Sequence, residues 1–496
     1  MSEETQIQRK SKIPKSIPFI LVNVFLERYC TAGVLAILPL FLHIKMGFDK
    51  NTSTAIFHMF EGMTFLFTVG GAVLADMSVG LYKSIVIMSS VYIVGFTVMT
   101  LAMIDPLNLP NEILVPIALT IMVIGCGCIK GNINVFGGNQ HKLPEQERQL
   151  QIYFSAQYFS LKCGSLLARF TFPILREEVK CFGSNNCFSL VFGIPMVIMI
   201  FALTAFLCGS SYYTHVPANG NVLIKLFKCI KHALIQKKIQ KRENSTSEKQ
   251  HWLNYSIDKY GKKLVLETKM TLKVLVIFIP VPMFWALHMQ QSSRWIFQAS
   301  QMNGDIGFYK IKPDQMIVFN SVLVLILIPL FERLVYPLME KIGIKSMLQR
   351  MICGNICTII AFIVSAIVET QVQKNYISML WQLPQFFIIA MAEIFTYLAT
   401  LNFAYKEAPA SMKPVIISFM YLTIASGDFI VALISGTRIF ESQVYEYLFF
   451  AFLMSLDVAL LAYLANNYQY TDHEMIKSLD EEEKINKNSE DVNNKV

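Results

Sequence analysis

Residues 17–42 read IPFILVNVFLERYCTAGVLAILPLFL. This run decides the fold, because about 20 mainly apolar residues in helical form cross a hydrocarbon core roughly 30 Å thick. In lipid the backbone must bond to itself, so a spanning segment is a helix or a strand of a closed barrel. Barrel strands need only about 10 residues, and this run is far longer. Comparable runs recur along the chain at Ser53–Ala75, Ser84–Met103, Glu112–Phe136, Gln151–Leu175 and Phe188–Ser211. After a long polar gap they resume at Thr271–Gln291, Gln315–Met339, Met351–Val368, Ile377–Phe403, Val415–Ser435 and Tyr445–Leu464. The expected class is an all-α membrane protein with twelve transmembrane helices in two six-helix bundles.

Composition agrees. The chain has 496 residues, of which 54% are hydrophobic and 16% charged, against roughly 25% charged in soluble domains. Its net charge of +8 reports the loops and is no argument for nucleic acid. The start, MSEETQIQRKSKIPKS, leads into a run longer than a signal-peptide core and without a small-residue cleavage site, so a retained first helix is expected. The expected organisation is a polar tail over residues 1–16, bundles over 17–211 and 271–464, a linker over 212–270 and a disordered tail over 465–496. Lys and Arg prefer the cytoplasmic side. The basic N-terminus and the basic gap KLFKCIKHALIQKKIQKRENSTSEKQ (225–250) share that side only if an even number of spans lies between them. The count is six, which puts both termini in the cytoplasm, with the plasma membrane the default.

On the opposite side, Cys181 and Cys187 close the short loop CFGSNNC. There they read as a disulfide, with free thiols the alternative. Asn51-Thr52-Ser53 is a glycosylation sequon on that side.

An ionisable residue at mid-bilayer costs roughly 2.5–3.5 kcal/mol on insertion scales, so it faces protein or a cavity. The spans carry Glu27, Arg28, His58, Lys130, Lys162, Lys273, Glu332 and Glu393. Glu27-Arg28 reads either as a self-neutralising pair or as a carboxylate whose protonation is coupled to a cation. Lys130 lies in GCGCIKGN, where Gly127 and Gly131, four apart, suit a close helix crossing; the lysine itself suits a substrate carboxylate. Lys273 and Glu332 read as an ion pair, structural or gating. Glu393 has no sequence-local partner, and a ligand amine would supply one.

Several strings carry a family resemblance: FLERY (25–29), GAVLAD (71–76), IKGNINVFGGNQ (129–140), QYFSLKCGSLL (157–167), VPMFWALHMQQSSRW (281–295), IKPDQM (311–316), MLWQLPQFFIIAMAEIF (379–395) and YKEAPASMK (405–413). In this order the chain resembles the proton-coupled oligopeptide transporter family, above all its animal branch. The resemblance implies a major-facilitator fold, alternating access, and uptake of di- and tripeptides with protons as coupling ion. It implies that Glu393 and Asn320 hold the peptide amino end and Lys130 the carboxylate end, with Tyr158 and Trp285 lining the pocket. It further implies that His58 handles protons with Glu27 and Arg28, and that Lys273 and Glu332 form the interbundle gate. Small peptides and membrane lipids are the expected partners; the oligomeric state is not legible.

The departures from the family pattern are specific. Val24 stands where the family has a first glutamate, Leu35 where it has an arginine for the peptide carboxylate, and Ala32 and Phe41 replace tyrosines. Lys162 replaces an asparagine. Tyr158 and Lys162, four apart, share a helix face, so Lys162 is expected to supply the cation lost at Leu35, and Lys162→Asn to weaken uptake strongly. The animal branch inserts a large domain between the ninth and tenth spans, where only ETQVQKN (369–375) stands here. The competing readings are a non-transporting nutrient sensor and a transporter of amino acids or other small solutes. No nucleophile or metal constellation points to an enzyme, so no catalytic residue, metal ligand or cofactor is assigned.

Overall fold

The computed structural model describes residues 13–75, 79–142, 145–183, 186–215, 222–242 and 251–470. The expected disordered tail beyond 470 lies outside them. The first half consists of α1 (Ile17–Ile44), α2 (Lys50–Leu74), α3 (Leu81–Ala102), α4 (Asn111–Gly138), α5 (Glu147–Glu178) and α6 (Phe188–Cys208). Their apolar residues meet in one core that includes Phe41, Phe57, Phe96, Met122, Phe172 and Phe192. The close crossing expected at Gly127 and Gly131 is present. A Cβ on Gly127 would lie 2.5 Å from the Thr64 carbonyl oxygen, and one on Gly131 3.0 Å from Thr68. Hydrogen alone at these positions lets α4 lie directly on α2, the way membrane helices gain packing where burial from water gives no drive.

A linker helix, α7 (Val222–Arg242), precedes the second half. Leu226 of α7 is buried against Met412 and Val415, so the linker is docked on the second bundle. The second half comprises α8 (Ile257–Ile277), α9 (Val281–Met289), α10 (Arg294–Ala299), α11 (Ile317–Leu330), α12 (Tyr336–Lys341), α13 (Met347–Val372), α14 (Leu383–Glu393), α15 (Ala399–Glu407), α16 (Lys413–Thr437) and α17 (Gln443–Asn466). The seventh span was expected to open at Thr271, inside what is α8. Within α8 the residue Gly261, at φ +81°, breaks the helix. Beyond Gly261 the amphipathic sequence keeps Val265, Met270 and Val274 buried, so the helix continues through residues assigned to the linker. The helical stretches 252–277 and 281–299 then meet at 46°, where Pro280 and Pro282 remove backbone donors.

By length and composition ten helices among the described residues can cross a membrane, or eleven with this bent pair counted as one. The expected count of twelve is reached only with α5. Its 32 residues reach about 48 Å at 1.5 Å per residue, yet it carries Lys162, Arg169 and Arg176. Two other spans are interrupted by π-helical turns, Phe331–Val335 between α11 and α12 and Ile394–Leu398 between α14 and α15. The second follows directly on Glu393.

Helices alternate in direction, so the connections α1–α2, α3–α4, α5–α6, α10–α11, α13–α14 and α16–α17 share one face of the bundle. Cys181 and Cys187 are joined by a disulfide there, and this end is called the disulfide face.

Candidate functional site

Glu393 ends α14 between the two halves. Its Oε2 accepts from Asn320 Nδ2 of α11 at 3.1 Å and lies 3.1 Å from His288 Nε2 of α9. Its Oε1 lies 3.9 Å from Lys162 Nζ, which comes from α5 in the other half. The carboxylate left without a partner in sequence thus has three, one of them across the bundle interface. Lys162 also stands 5.5 Å from the Tyr158 ring, as their common helix face requires. Trp285 is buried against His288 and Tyr397, with centroids 5.5 and 5.8 Å apart, and its indole N–H has no hydrogen-bond partner. A buried donor without a partner is costly.

Of the cations expected at the site, Lys130 and Arg28 form no ion pair with this carboxylate among the described residues. Lys130 Nζ lies 3.9 Å from the centroid of the Phe65 ring, a cation–π contact. Arg28 does not pair with Glu27. Glu27 is buried in the first half, where Oε1 accepts from Thr31 Oγ1 at 2.8 Å, and the Thr31 hydroxyl lies 3.1 Å from the Tyr92 hydroxyl. Arg28 has a buried Nε with no hydrogen-bond partner. Adjacent residues on a helix point about 100° apart, which separates them.

The gate differs from expectation. Lys273 and Glu332 are both exposed on the bundle surface and form no ion pair with each other. The halves are fastened instead near the disulfide face. Arg176 of α5 donates from Nε and Nη2 to both carboxylate oxygens of Asp314 at 3.0 and 3.2 Å, a buried bidentate pair. Its Nη1 donates to Asn186 Oδ1, inside the disulfide loop, at 3.1 Å. Lys312 bonds Glu178 beside it; burial would lower the Lys312 pKa, but the bond and charge of Glu178 together with Tyr309 outweigh burial and raise it. Arg169 Nη1 donates to Ser321 Oγ at 2.8 Å. Arg294, itself held bidentately by Glu446 at 2.8 and 2.9 Å, donates to Asn51 Oδ1 at 2.8 Å, so the sequon asparagine is part of the closure. At the rim, Arg438 meets Asp49 at 2.6 Å. The hydrogen bond from Thr52, with Arg438, holds the Asp49 carboxyl below its usual range.

His58 of α2 is fully buried and bridges the halves, with Nδ1 2.8 Å from Asp428 Oδ1 of α16 and Nε2 2.8 Å from Ser293 Oγ. Arg169, Arg176, His288, Arg294, Asp428 and Glu446 of this layout, and Glu61 of α2, were passed over in the sequence, although each is ionisable within or at the end of an apolar run. Glu61 and His288 were within reach of that reading. Glu61 lies one turn beyond His58, and His288 sits inside the quoted string FWALHMQQ.

Comparison with known proteins agrees with this layout. The model of the POT family matches residues 82–442. Solute carrier family 15 member 2 of Rattus norvegicus is 40% identical over 365 residues, covering 73% of this chain and 50% of the relative. Peptide transporter family 1 of Drosophila melanogaster is 38% identical over 371 residues, covering 75% and 50%. The chain spans about half the length of these curated relatives. The crystal structure of an auto-inhibited POT family peptide transporter superposes with a TM-score of 0.80 at 24% identity, covering 92% of this chain and 98% of that one. The fold is the major-facilitator fold of such transporters, and the chain belongs to the POT family.

Proposed function

We propose that the protein is a secondary transporter that carries di- and tripeptides by alternating access, coupled to protons, and imports them at the plasma membrane with both termini cytoplasmic. The observation that carries this reading is the Glu393 cluster. A carboxylate between the halves, with the Lys162 ammonium 3.9 Å away, suits a ligand amine that takes the place of Lys162. Asn320 and His288 fix the carboxylate, and Trp285 and Tyr158 offer apolar walls with polar tips. Lys130 and Arg28 are the cations left for the peptide carboxylate. The interbundle bonds of the disulfide face are the contacts that must break for access from that side.

The test is dipeptide uptake into proteoliposomes with and without an imposed proton gradient. Accumulation driven by an inward gradient is expected. Binding without uptake would replace this reading with a non-transporting sensor, and gradient-independent uptake would remove the coupling alone.

The geometry reverses the sign of one expectation. On this reading Lys162, 3.9 Å from Glu393, competes with the peptide ammonium instead of holding the carboxylate. Lys162→Asn should therefore tighten dipeptide binding, by about tenfold for the loss of roughly 1.4 kcal/mol of competing attraction. Titration of purified protein with a fluorescent dipeptide measures this. Weaker binding, with the loss confined to peptides that keep a free carboxylate, would return Lys162 to the carboxylate pole.

A further inference from the structure

Helix α5 carries Lys162, Arg169 and Arg176 at seven-residue spacing. Seven residues make nearly two turns, so the three lie along one face, about 10.5 Å apart on the helix axis. That face meets the second half at each level. Lys162 Nζ stands 3.9 Å from Glu393 Oε1, and Arg176 donates to both carboxylate oxygens of Asp314. The middle level differs. Arg169 Nη1 donates to the Ser321 hydroxyl at 2.8 Å, and among the described residues Arg169 forms no ion pair with a carboxylate.

A hydroxyl is a poor reason to keep a guanidinium inside a membrane bundle, where an ionised group is retained for a charged partner or a cavity. The interface at this level also has a neutral fastening, from Gln315 Nε2 to the Phe170 carbonyl at 3.2 Å. The charged groups facing Arg169 are Arg28 of α1, Glu393 and Glu61. Glu393 is engaged by Asn320, His288 and Lys162. Arg28 is a second cation, and its buried Nε has no hydrogen-bond partner. Two guanidiniums thus face one another, and among the described residues neither is paired with an acid. Ser321 follows directly on Asn320, so this level adjoins the Glu393 cluster.

We propose that Arg169 is an anion subsite, which takes a ligand carboxylate lying about 10 Å from the amine held at Glu393. The subsite rests on the peptide reading above and names a substrate class within it. An extended chain spans about 3.3–3.6 Å per residue, so three residues cover the distance. The C-terminal carboxylate of a tripeptide reaches it. So does a glutamate side chain at the second position of a dipeptide, whose own terminal carboxylate is left to Lys130 and Arg28. A dipeptide without an acidic side chain falls short. The arriving carboxylate replaces the Ser321 hydroxyl and can accept from two guanidinium nitrogens, as Asp314 does from Arg176. The middle level then gains the ion pair that its neighbours have.

The experiment measures binding alone, by competition with a fluorescent dipeptide on the purified protein. The competitors are dialanine, trialanine, trialanine amide, alanyl-glutamate and alanyl-glutamine. In the parent protein the acid of at least one pair should bind about tenfold more tightly than its amide, the lower end for a hydrogen bond between charged groups. Arg169→Gln should remove that preference and leave dialanine unchanged. Arg169→Lys keeps the charge without the fork and should retain part of the preference. Each ratio is taken within one variant, so it does not depend on how much of that variant folds. A preference confined to the trialanine pair assigns the subsite to the C-terminal carboxylate, and one confined to the glutamate pair assigns it to the side chain. Acids and amides bound alike by the parent, a preference that persists in Arg169→Gln, or an equal loss for all five peptides would overturn the proposal. Binding of dialanine separates the two readings. A protein that binds dialanine but shows no preference due to Arg169 loses the subsite alone, and one that binds no peptide loses both. A protein that shows the preference and takes up no peptide keeps the subsite and rejects transport.

Discussion

Glu393→Gln should reduce uptake of a dipeptide with a free amine by about ten- to a hundred-fold. The lost interaction is a hydrogen bond between two charged groups, worth about 1.5–3 kcal/mol, and each 1.4 kcal/mol is about tenfold. The substitution keeps the side-chain length, and the amide oxygen still accepts from Asn320 and His288, so the cluster is preserved. The comparison that isolates the effect is a dipeptide against its N-acetylated form. The acetylated peptide should be carried poorly by the parent protein and scarcely changed by Glu393→Gln. An equal fall for both peptides would mean that Glu393 holds the helices and not the amine.

The second large effect concerns the closure. Asp314→Ala removes one partner of a buried bidentate pair, which typically costs about 3–5 kcal/mol. That cost falls on the closed state alone, because Arg176 regains water once the halves separate. The closed-to-open ratio at the disulfide face should therefore drop by more than about a hundred-fold, seen by pulsed resonance as a longer distance between spin labels at Leu107 and Tyr376, exposed on opposite halves of that face. Exchanging the pair, Arg176→Asp with Asp314→Arg, should recover part of the closed population. Lys273→Ala and Glu332→Ala should leave the distance unchanged, since both side chains lie exposed and apart. A shift from the latter two, with none from Asp314→Ala, would restore the gate expected from the sequence.

What was legible in the sequence was local. Hydropathy over a window of about 20 residues reports whether a segment prefers lipid, and the helix follows because the backbone has no other partner there. The Gly127–Gly131 spacing foretold a close crossing for the same reason: one helix face is written in one stretch of chain. The strings FLERY, FWALHMQQSSRW and MAEIF placed the chain in its family, and Glu393, Asn320, Lys162 and Tyr158 do come together. The early start of α8 was misjudged where apolarity and helix part company.

Pairing between the halves was decided by the tertiary structure alone. Lys162 was read as a partner of the peptide carboxylate, and it faces Glu393. Glu27 and Arg28 are neighbours in sequence and point apart. Lys273 and Glu332 carry opposite signs and are not paired in this structure, while Arg176 and Asp314 are. The reason is that a side chain's partner across an interface depends on the rotation and depth of two separate helices. Those are fixed by contacts such as Gly427 on Trp285 and Gly62 on Asp428, in which neither residue carries a mark of the other. The sequence by itself therefore determined that this chain is a membrane bundle of the POT family with charges buried inside it. Only the packed structure determined which of those charges answer one another.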